Sequence, residues 1–318
     1  MFDTISVGSA TLDIFLKSSK FNLVDEVAGI TAEKALCMPY GDKLNVDDFA
    51  MQSGGGATNT AVAFARLGFK AAVISEMGQD LPAQVILQEL QAENVDVSMM
   101  IQEADERTAI SALLVSGEGG RSIVTARGAS KMLTVQDINF ERLQANWIHI
   151  SSLGNMELVK RLAEHCKKER IRFSWNPGGA ELDSMANGEL HLHEIYPTLF
   201  MVNEIEASQL IEAGYDLETA GSTVVVTNGP EGGRFYEKHA WQKYTSDPVK
   251  VVQETGAGDA FTAGMVTAYL HDRLTPEAIS WGKAQASSVV QHMGAKTGLK
   301  NELPWFFDFK FKIAMLFF

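Results

Sequence analysis

Cysteine is nearly missing from this sequence: Cys37 and Cys166 are the only two in 318 residues, far apart and in no metal-ligand spacing. That excludes a disulfide-framed or zinc–cysteine domain and fits a reducing, cytoplasmic setting. Long apolar runs are missing too. None reaches the roughly 18 residues that a spanning helix needs. The stretch from Met1 to Leu16 has no basic segment followed by an apolar core and a cleavage site, so no secretory leader is expected. Positive charge is in deficit, with 27 Lys and Arg against 40 Asp and Glu and a net charge of -13. Nucleic acid and anionic membranes need clustered Lys and Arg, so neither is an expected partner. Several catalytic patterns are absent as well: no G-x-x-x-x-G-K-[ST], no G-x-S-x-G and no H-E-x-x-H. Gly294-Ala295-Lys296-Thr297 only looks like part of a phosphate loop. His191 and His193 have no third ligand nearby and read as a surface loop.

What is present suits a soluble globular chain with a real core: 46% apolar and 21% charged residues, in a length that allows one large α/β domain or two modest ones. A short strand at Ile5-Ser6-Val7-Gly8 opens the pattern. A helix over 58–67, stopped by Gly68, a buried strand over 71–75 and a helix over 81–92 follow. The rhythm returns with strands at 147–151, 171–175, 199–202 and 223–227 and helices at 157–168 and 204–213. It ends with a hairpin near 234–244 and helices at about 258–271 and 276–292. Strand and helix in alternation predict a parallel sheet covered by helices.

Two stretches break the rhythm. Residues 14–52 carry turn signals such as Tyr40-Gly41-Asp42 and no helical period. Residues 107–126 read as a hairpin around Gly117-Glu118-Gly119-Gly120. Two β-rich insertions predict a small second sheet, placed to act as a lid. In the tail, 301–318, Phe307, Phe309, Phe311 and Ile313 alternate with Asp308, Lys310 and Lys312. This is the period of a strand with one apolar face, either an edge strand or packing arm or a dimer contact.

The strongest chemical signal is Glu254-Thr255-Gly256-Ala257-Gly258-Asp259-Ala260-Phe261, which follows the β-type run 249–252 and opens a helix. Phe261, Gly264, Met265 and Ala268 have the spacing of one buried face. Gly256 and Gly258 let the backbone approach a ligand and turn its N–H groups outward, and the helix dipole adds positive potential there. Such a hole suits a phosphoryl group in transfer. Asp259 beside it can take a proton from an attacking hydroxyl. The alternative is a tight strand–helix turn with Asp259 as a cap. A dinucleotide fingerprint does not fit, because its third glycine falls at Phe261.

This segment resembles the C-terminal signature D-T-x-G-A-G-D-A-F of the PfkB, or ribokinase-like, carbohydrate kinase family, with Gln253 and Glu254 in its first two places. Ser53-Gly54-Gly55-Gly56-Ala57-Thr58-Asn59-Thr60-Ala61, ending in Ala65-Arg66-Leu67-Gly68, is similar to the family's N-terminal signature G-G-x-x-x-N-x-A…L-G, and Gly78-Gln79-Asp80 to the G-x-D after it. The resemblance covers roughly residues 3–300. It implies a three-layer α/β/α fold with a mainly parallel sheet and a β-lid.

The resemblance also implies roles. Asp259 is the base, and the backbone of Gly256, Ala257 and Gly258 is the anion hole. Asp13, Gly54, Gly55 and Asn59 bind the substrate. Asn203 and Glu206, an N-x-x-E motif, order Mg²⁺-bound water and phosphates, which makes Glu206 the metal candidate. Thr227, Gly229 and Gly232 lie along the ATP phosphates. Residues 287–295 flank the adenine, where K⁺ is a further possible cofactor. Each of these residues also has a plain structural reading: a turn or cap at Asp13, a helix-start cap at Asn59, a helix N-terminus at 203–206 and a hairpin turn at 227–233. The chain departs from the family at Gln253 and Glu254, which puts K⁺ dependence and the familiar sugar preference in question. It departs again at Gly56, where ribokinases often carry lysine, and at Asn176-Pro177, where many members have Asp-Pro.

The expected activity is transfer of the γ-phosphate of ATP to a hydroxyl, expected to be primary, of a small sugar such as ribose or fructose. A nucleoside kinase is the alternative, with Phe15, Phe21, Tyr40 and Phe49 in the lid stretch as possible stacking surfaces. A non-catalytic nucleotide- or sugar-binding relative and a Rossmann oxidoreductase are the rivals from other classes. A homodimer is possible through the lid or the tail.

Overall fold

The computed structural model describes residues 1–25, 34–117, 120–220 and 222–302. Strand β1 (Phe2–Val7) starts in the body. The chain then leaves it as β2 (Thr11–Ser18), the antiparallel pair β3 (Asn22–Asp25) and β4 (Lys34–Cys37), and β5 (Asp48–Gly54). It returns through helix α1 (Gly56–Arg66), β6 (Ala71–Ile74), β7 (Glu76–Gly78), α2 (Leu81–Ala92) and β8 (Ile101–Glu103). It leaves again as β9 (Ala109–Ser116) and β10 (Arg121–Ala126). After β11 (Ala145–Ile150) come α3 (Met156–Glu169), β12 (Arg172–Trp175), α4 (Gly179–Ala186), α5 (Leu192–Ile195), β13 (Leu199–Asn203), α6 (Glu204–Glu212) and β14 (Thr223–Thr227). The hairpin β15 (Gly233–Glu237) and β16 (Ala240–Tyr244) and the helices α7 (Ala257–Leu270) and α8 (Thr275–Val289) complete it.

The body is an eight-stranded sheet in the order β16-β15-β14-β13-β12-β11-β1-β6. The six strands from β14 to β6 are parallel, and the hairpin adds two antiparallel ones at one edge. Strand side chains alternate between two cores, as the period of two requires. Ile5, Val7, Ile148, Ile150, Phe200 and Val202 pack under α3–α6. Val73, Trp147, Leu199, Met201 and Val225 pack under α1, α7 and α8. Among the described residues no helix is long and apolar enough to cross a membrane.

Four strands form the separate lid sheet, β10-β9-β2-β5. Its register puts Gln52, Asp13, Ser111 and Thr125 side by side on one face and Met51, Ile14, Ala112 and Val124 on the other. Asp13 and Ser111 are buried, whereas Met51 and Val124 are 56% and 64% exposed. The lid therefore has a polar inner row and an apolar outer one.

Three expectations need correction. Residues 249–252 join no strand; Val252 and Gln253 instead donate their amides to Val290 O. Asp13 lies within β2 and not in a turn after the first strand. Helix α7 is buried on every side from Ala260 to Ala268, not along one face. It runs between the sheet, α1 and α8, and small residues permit this. A Cβ on Gly264 would come 2.5 Å from Trp281 O, and one on Gly282 would come 2.8 Å from the Phe261 ring. The alternating tail from Phe307 to Ile313 and the turn residues Glu118 and Gly119 lie outside the described residues.

Candidate active site

The carboxyl ends of parallel strands leave a crevice where their loops part. Here Ser9 after β1, Ser151 and Ser152 after β11, Asn176 and Pro177 after β12, Asn203 at the end of β13 and Thr227 at the end of β14 line one cavity of about 280 Å³. Gly56, Glu206, Gly258 and Asp259 complete its wall.

The N-terminus of α7 is built by glycine. Gly256 is its N-cap in the left-handed conformation, φ 81°. A Cβ there would lie 2.5 Å from the Ala295 side chain. The first helical bond runs from Ala260 N to Gly256 O at 2.9 Å, and Ala257 N turns back to Glu254 O at 3.2 Å. The first turn of a helix leaves its amides open. Ala257 N is thus used, against the expectation that it forms an anion hole with Gly256 and Gly258; Gly258 and Asp259 line the cavity, and Gly256 and Ala257 do not. Asp259 is not a cap, because no side chain caps this helix.

Asp259 is instead clasped from α1: Asn59 Nδ2 donates to Asp259 Oδ2 at 2.8 Å. Asn59 is not a helix-start cap either, since Gly55 holds that place. With its amide group committed, Asn59 Oδ1 is buried without a partner. Burial pushes the Asp259 carboxyl up to about 6; the Asn59 bond and the charge of Lys296 oppose this, and Asp13 adds to it.

Asp13 is buried on β2 and accepts from Thr11 Oγ1 at 2.7 Å. Burial raises its pKa, against the pull of Thr11 and Lys296. It rests on Gly54, where a Cβ would fall 1.9 Å from Asp13 Oδ2. Gly55 has φ 92°, and its missing Cβ makes room for Ser9 O.

Asn203 and Glu206 form a reciprocal capping box on α6: Asn203 Oδ1 accepts from Glu206 N at 2.9 Å and Glu206 Oε2 from Asn203 N at 2.8 Å. They are an ordinary helix N-terminus and also part of the cavity wall. Burial raises the Glu206 pKa, and the Asn203 amide lowers it. Thr227 pairs with Gly233, and a tight turn through Gly229 (φ 47°) and Gly232 (φ 90°) joins them.

Of the residues picked out by sequence, the cavity wall thus gathers Gly258, Asp259, Asn203, Glu206 and Thr227. Asp13, Gly54, Gly55 and Asn59 do not line this cavity, and Asn59 joins it through its bond to Asp259. Gly229 and Gly232 shape the neighbouring turn but do not line the cavity.

Gln253 is buried, its Oε1 accepting from Gly294 N at 2.9 Å and its Nε2 without a partner. A cation needs oxygen donors. Here the one side-chain oxygen is spent on an N–H, and the remaining group is itself a donor, so the Gln253 side chain offers no oxygen to a cation.

The sequence reading missed Lys296. It is 2% exposed, and its ammonium donates to Ser53 O and Ser53 Oγ. Its only sequence signal is a lysine within the glycine-bounded run 294–298, and a surface turn has the same appearance. Ser151, Ser152 and Met201 of the cavity wall were missed too, having no distinctive motif.

The pattern of the pfkB family of carbohydrate kinases matches residues 18–302. A ribokinase of Haemophilus influenzae is 27% identical over 86% of this chain and 94% of its own length. The fold is also that of a Burkholderia thailandensis nucleoside kinase solved with inosine, with a TM-score of 0.74, 18% identity and coverage of 93% and 94% of the two chains. An Arabidopsis thaliana ribokinase solved with ribose and ATP gives 0.71, 21%, and 92% and 94%.

Proposed function

The chain belongs to the pfkB family of carbohydrate kinases, and from that premise we propose that it transfers the γ-phosphate of ATP to a primary hydroxyl of a small sugar such as ribose or fructose. One observation carries the reading: a carboxylate, Asp259, held by Asn59 at the open N-terminus of a buried helix and facing a cavity at the sheet's carboxyl edge. Asp259 takes the proton of the sugar hydroxyl. That oxygen attacks the γ-phosphorus, and the bond to the ADP oxygen breaks on the opposite side. The amides of Gly258 and Asp259 meet the charge that gathers on the transferring group. Asn59 Oδ1 and the Asp13 carboxylate accept further hydroxyls of the sugar, which gives the unpaired Asn59 Oδ1 a donor.

The nucleotide phosphates lie toward Asn203, Glu206 and Thr227. Glu206 Oε2 is committed to Asn203 N, so Oε1 is the group that would hold Mg²⁺ through water. Bound there, the ion neutralises charge on the phosphates.

The sugar reading is favoured over the nucleoside one because the inner lid row beside Asp13 carries no aromatic side chain for a base to stack on. Phe15 is buried in the lid with Leu113 and Val115. Phe21 is buried, Phe49 is 66% exposed on the outer face and Tyr40 is exposed. The inner lid row of Gln52, Asp13, Ser111 and Thr125 offers hydrogen bonds instead. A second copy of this chain is the proposed cover for the apolar outer row.

The test is ADP release with ATP and Mg²⁺ across pentoses, hexoses, phosphosugars and nucleosides, with Asp259→Ala as control. Strong turnover with one sugar, lost in Asp259→Ala while ATP still binds by calorimetry, supports the proposal. Turnover with nucleosides alone replaces the substrate class. Equal turnover in Asp259→Ala rejects the mechanism.

A further inference from the structure

Burying an ammonium is costly unless it is paired and hydrogen-bonded, and Lys296 meets that demand in a particular place. Its Nζ donates to both oxygens of Ser53 and lies 3.3 Å from Glu89 Oε1. Glu89, from α2, also accepts the Ser53 amide. The carbonyl of Lys296 accepts from Arg66 Nη1 at 2.6 Å, and Arg66 is paired with Glu93. The lysine is therefore fixed at both ends.

Ser53 leads directly into Gly54, the residue on which the Asp13 carboxylate rests. The ammonium thus binds the residue before Gly54, at the corner where the lid strand β5 gives way to α1. The charged groups around it come from four elements: Glu89 and the adjoining Glu93, Asp13, Asp259, and the cation Arg66. Two neighbouring carboxylates resist being charged together. Burial lowers the Lys296 pKa, and Glu89, Asp13 and Asp259 oppose this; the Asp13 charge raises the Asp259 pKa, and Lys296 lowers both.

We propose that Lys296 is a positioning residue for the phosphoryl transfer: held by Ser53 and Glu89 beside Gly54, its ammonium is the counter-charge on the acceptor side and locks the corner that Asp13 rests on. The inference depends on Asp259 being the base. It assigns the chain a built-in counter-charge for the acceptor side, supplied from the segment after α8.

The test is kcat/KM against pH for the parent, Lys296→Gln, Lys296→Arg and Glu89→Gln. Lys296→Gln keeps a donor for Ser53 but loses the charge, so its acidic limb moves up by about one pH unit and activity at pH 6 falls roughly tenfold relative to its own plateau. Lys296→Arg keeps the limb near that of the parent. Glu89→Gln keeps an acceptor for the Ser53 amide and removes a negative charge, so its limb moves down. A role in packing alone lowers plateaus and leaves the limbs in place, which overturns the proposal. If Lys296→Gln does not fold, Glu89→Gln decides alone, and a limb that stays or rises rejects the idea. Asp259→Asn separates the premise. If Asp259→Asn is active, the base assignment falls. If it is inactive while the limbs of the other variants do not move, only the role of Lys296 falls.

Discussion

Asn59 Nδ2 and Asp259 Oδ2 meet at 2.8 Å across 200 residues of chain, and this bond joins the two halves of the site. It favours the charged carboxylate, yet burial still holds the Asp259 pKa at about 6. A base must be deprotonated to work, so kcat/KM is expected to fall as pH drops through about 6. Asn59→Ala removes a stabilising donor and frees the carboxylate to swing. Its acidic limb should lie higher, and kcat should drop on the order of 100-fold. A rate profile that is flat from pH 5 to 8 in the parent would refute the assignment.

Gly54→Ala puts a methyl 1.9 Å from Asp13 Oδ2, so the carboxylate has to turn away. Loss of one hydrogen bond from a charged group costs about 1.5–3 kcal/mol. The acceptor KM should therefore rise at least tenfold while the KM for ATP stays the same. Steady-state kinetics with each substrate varied in turn checks this, and parallel rises in both constants would contradict it.

Glu76 on β7 is 2% exposed, and its Oε2 has no partner. Burial, then Asp137 and Glu103, pushes its pKa from 4.5 up to about 7. The folded protein holds a proton that the unfolded chain releases between those values, so stability declines as pH rises across that window. Glu76→Gln removes the penalty. Urea unfolding should find the variant more stable than the parent by on the order of 2 kcal/mol at pH 8 and about equal to it at pH 4.5. An equal gain at both pH values would disprove the cause.

The outer lid row gives a prediction about assembly. Met51 and Val124 leave an apolar stripe across four strands open to water, and stripes of this kind mark contact surfaces. Sedimentation of the parent should show a dimer, and Met51→Asp with Val124→Asp should show a monomer of unchanged fold. A parent that is monomeric at every concentration would remove the second copy from the proposal.

Glycine and carboxylate spacing made much of the site readable, because a left-handed N-cap at Gly256 and an open helix end before Asp259 follow from local chemistry. The alternating β and α pattern gave the body sheet, and the two β-rich insertions gave the lid. Burial and pairing that depend on distant residues were not readable. The run 249–252 has the composition of a strand, but its amides go to Val290 rather than to a neighbouring strand. Helix α7 was read as one-faced because nothing in its own sequence reports α8 against Gly264. Lys296 was passed over because its partners, Ser53 and Glu89, lie more than 200 residues earlier.

The pairing of β2 with β9, which sets Asp13 beside Ser111, also has a consequence for the order of events in folding. Strand β1 lies between β6 and β11, so the centre of the body closes only once β11 is available. The inner lid row needs β9, and the clasp on Asp259 needs α7. Contacts between distant segments form slowly, and they form after the local ones. A chain emerging from the ribosome carries Asp13 long before Asp259. The Asn59–Asp259 bond, on which the proposed mechanism depends, therefore waits for a contact 200 residues long.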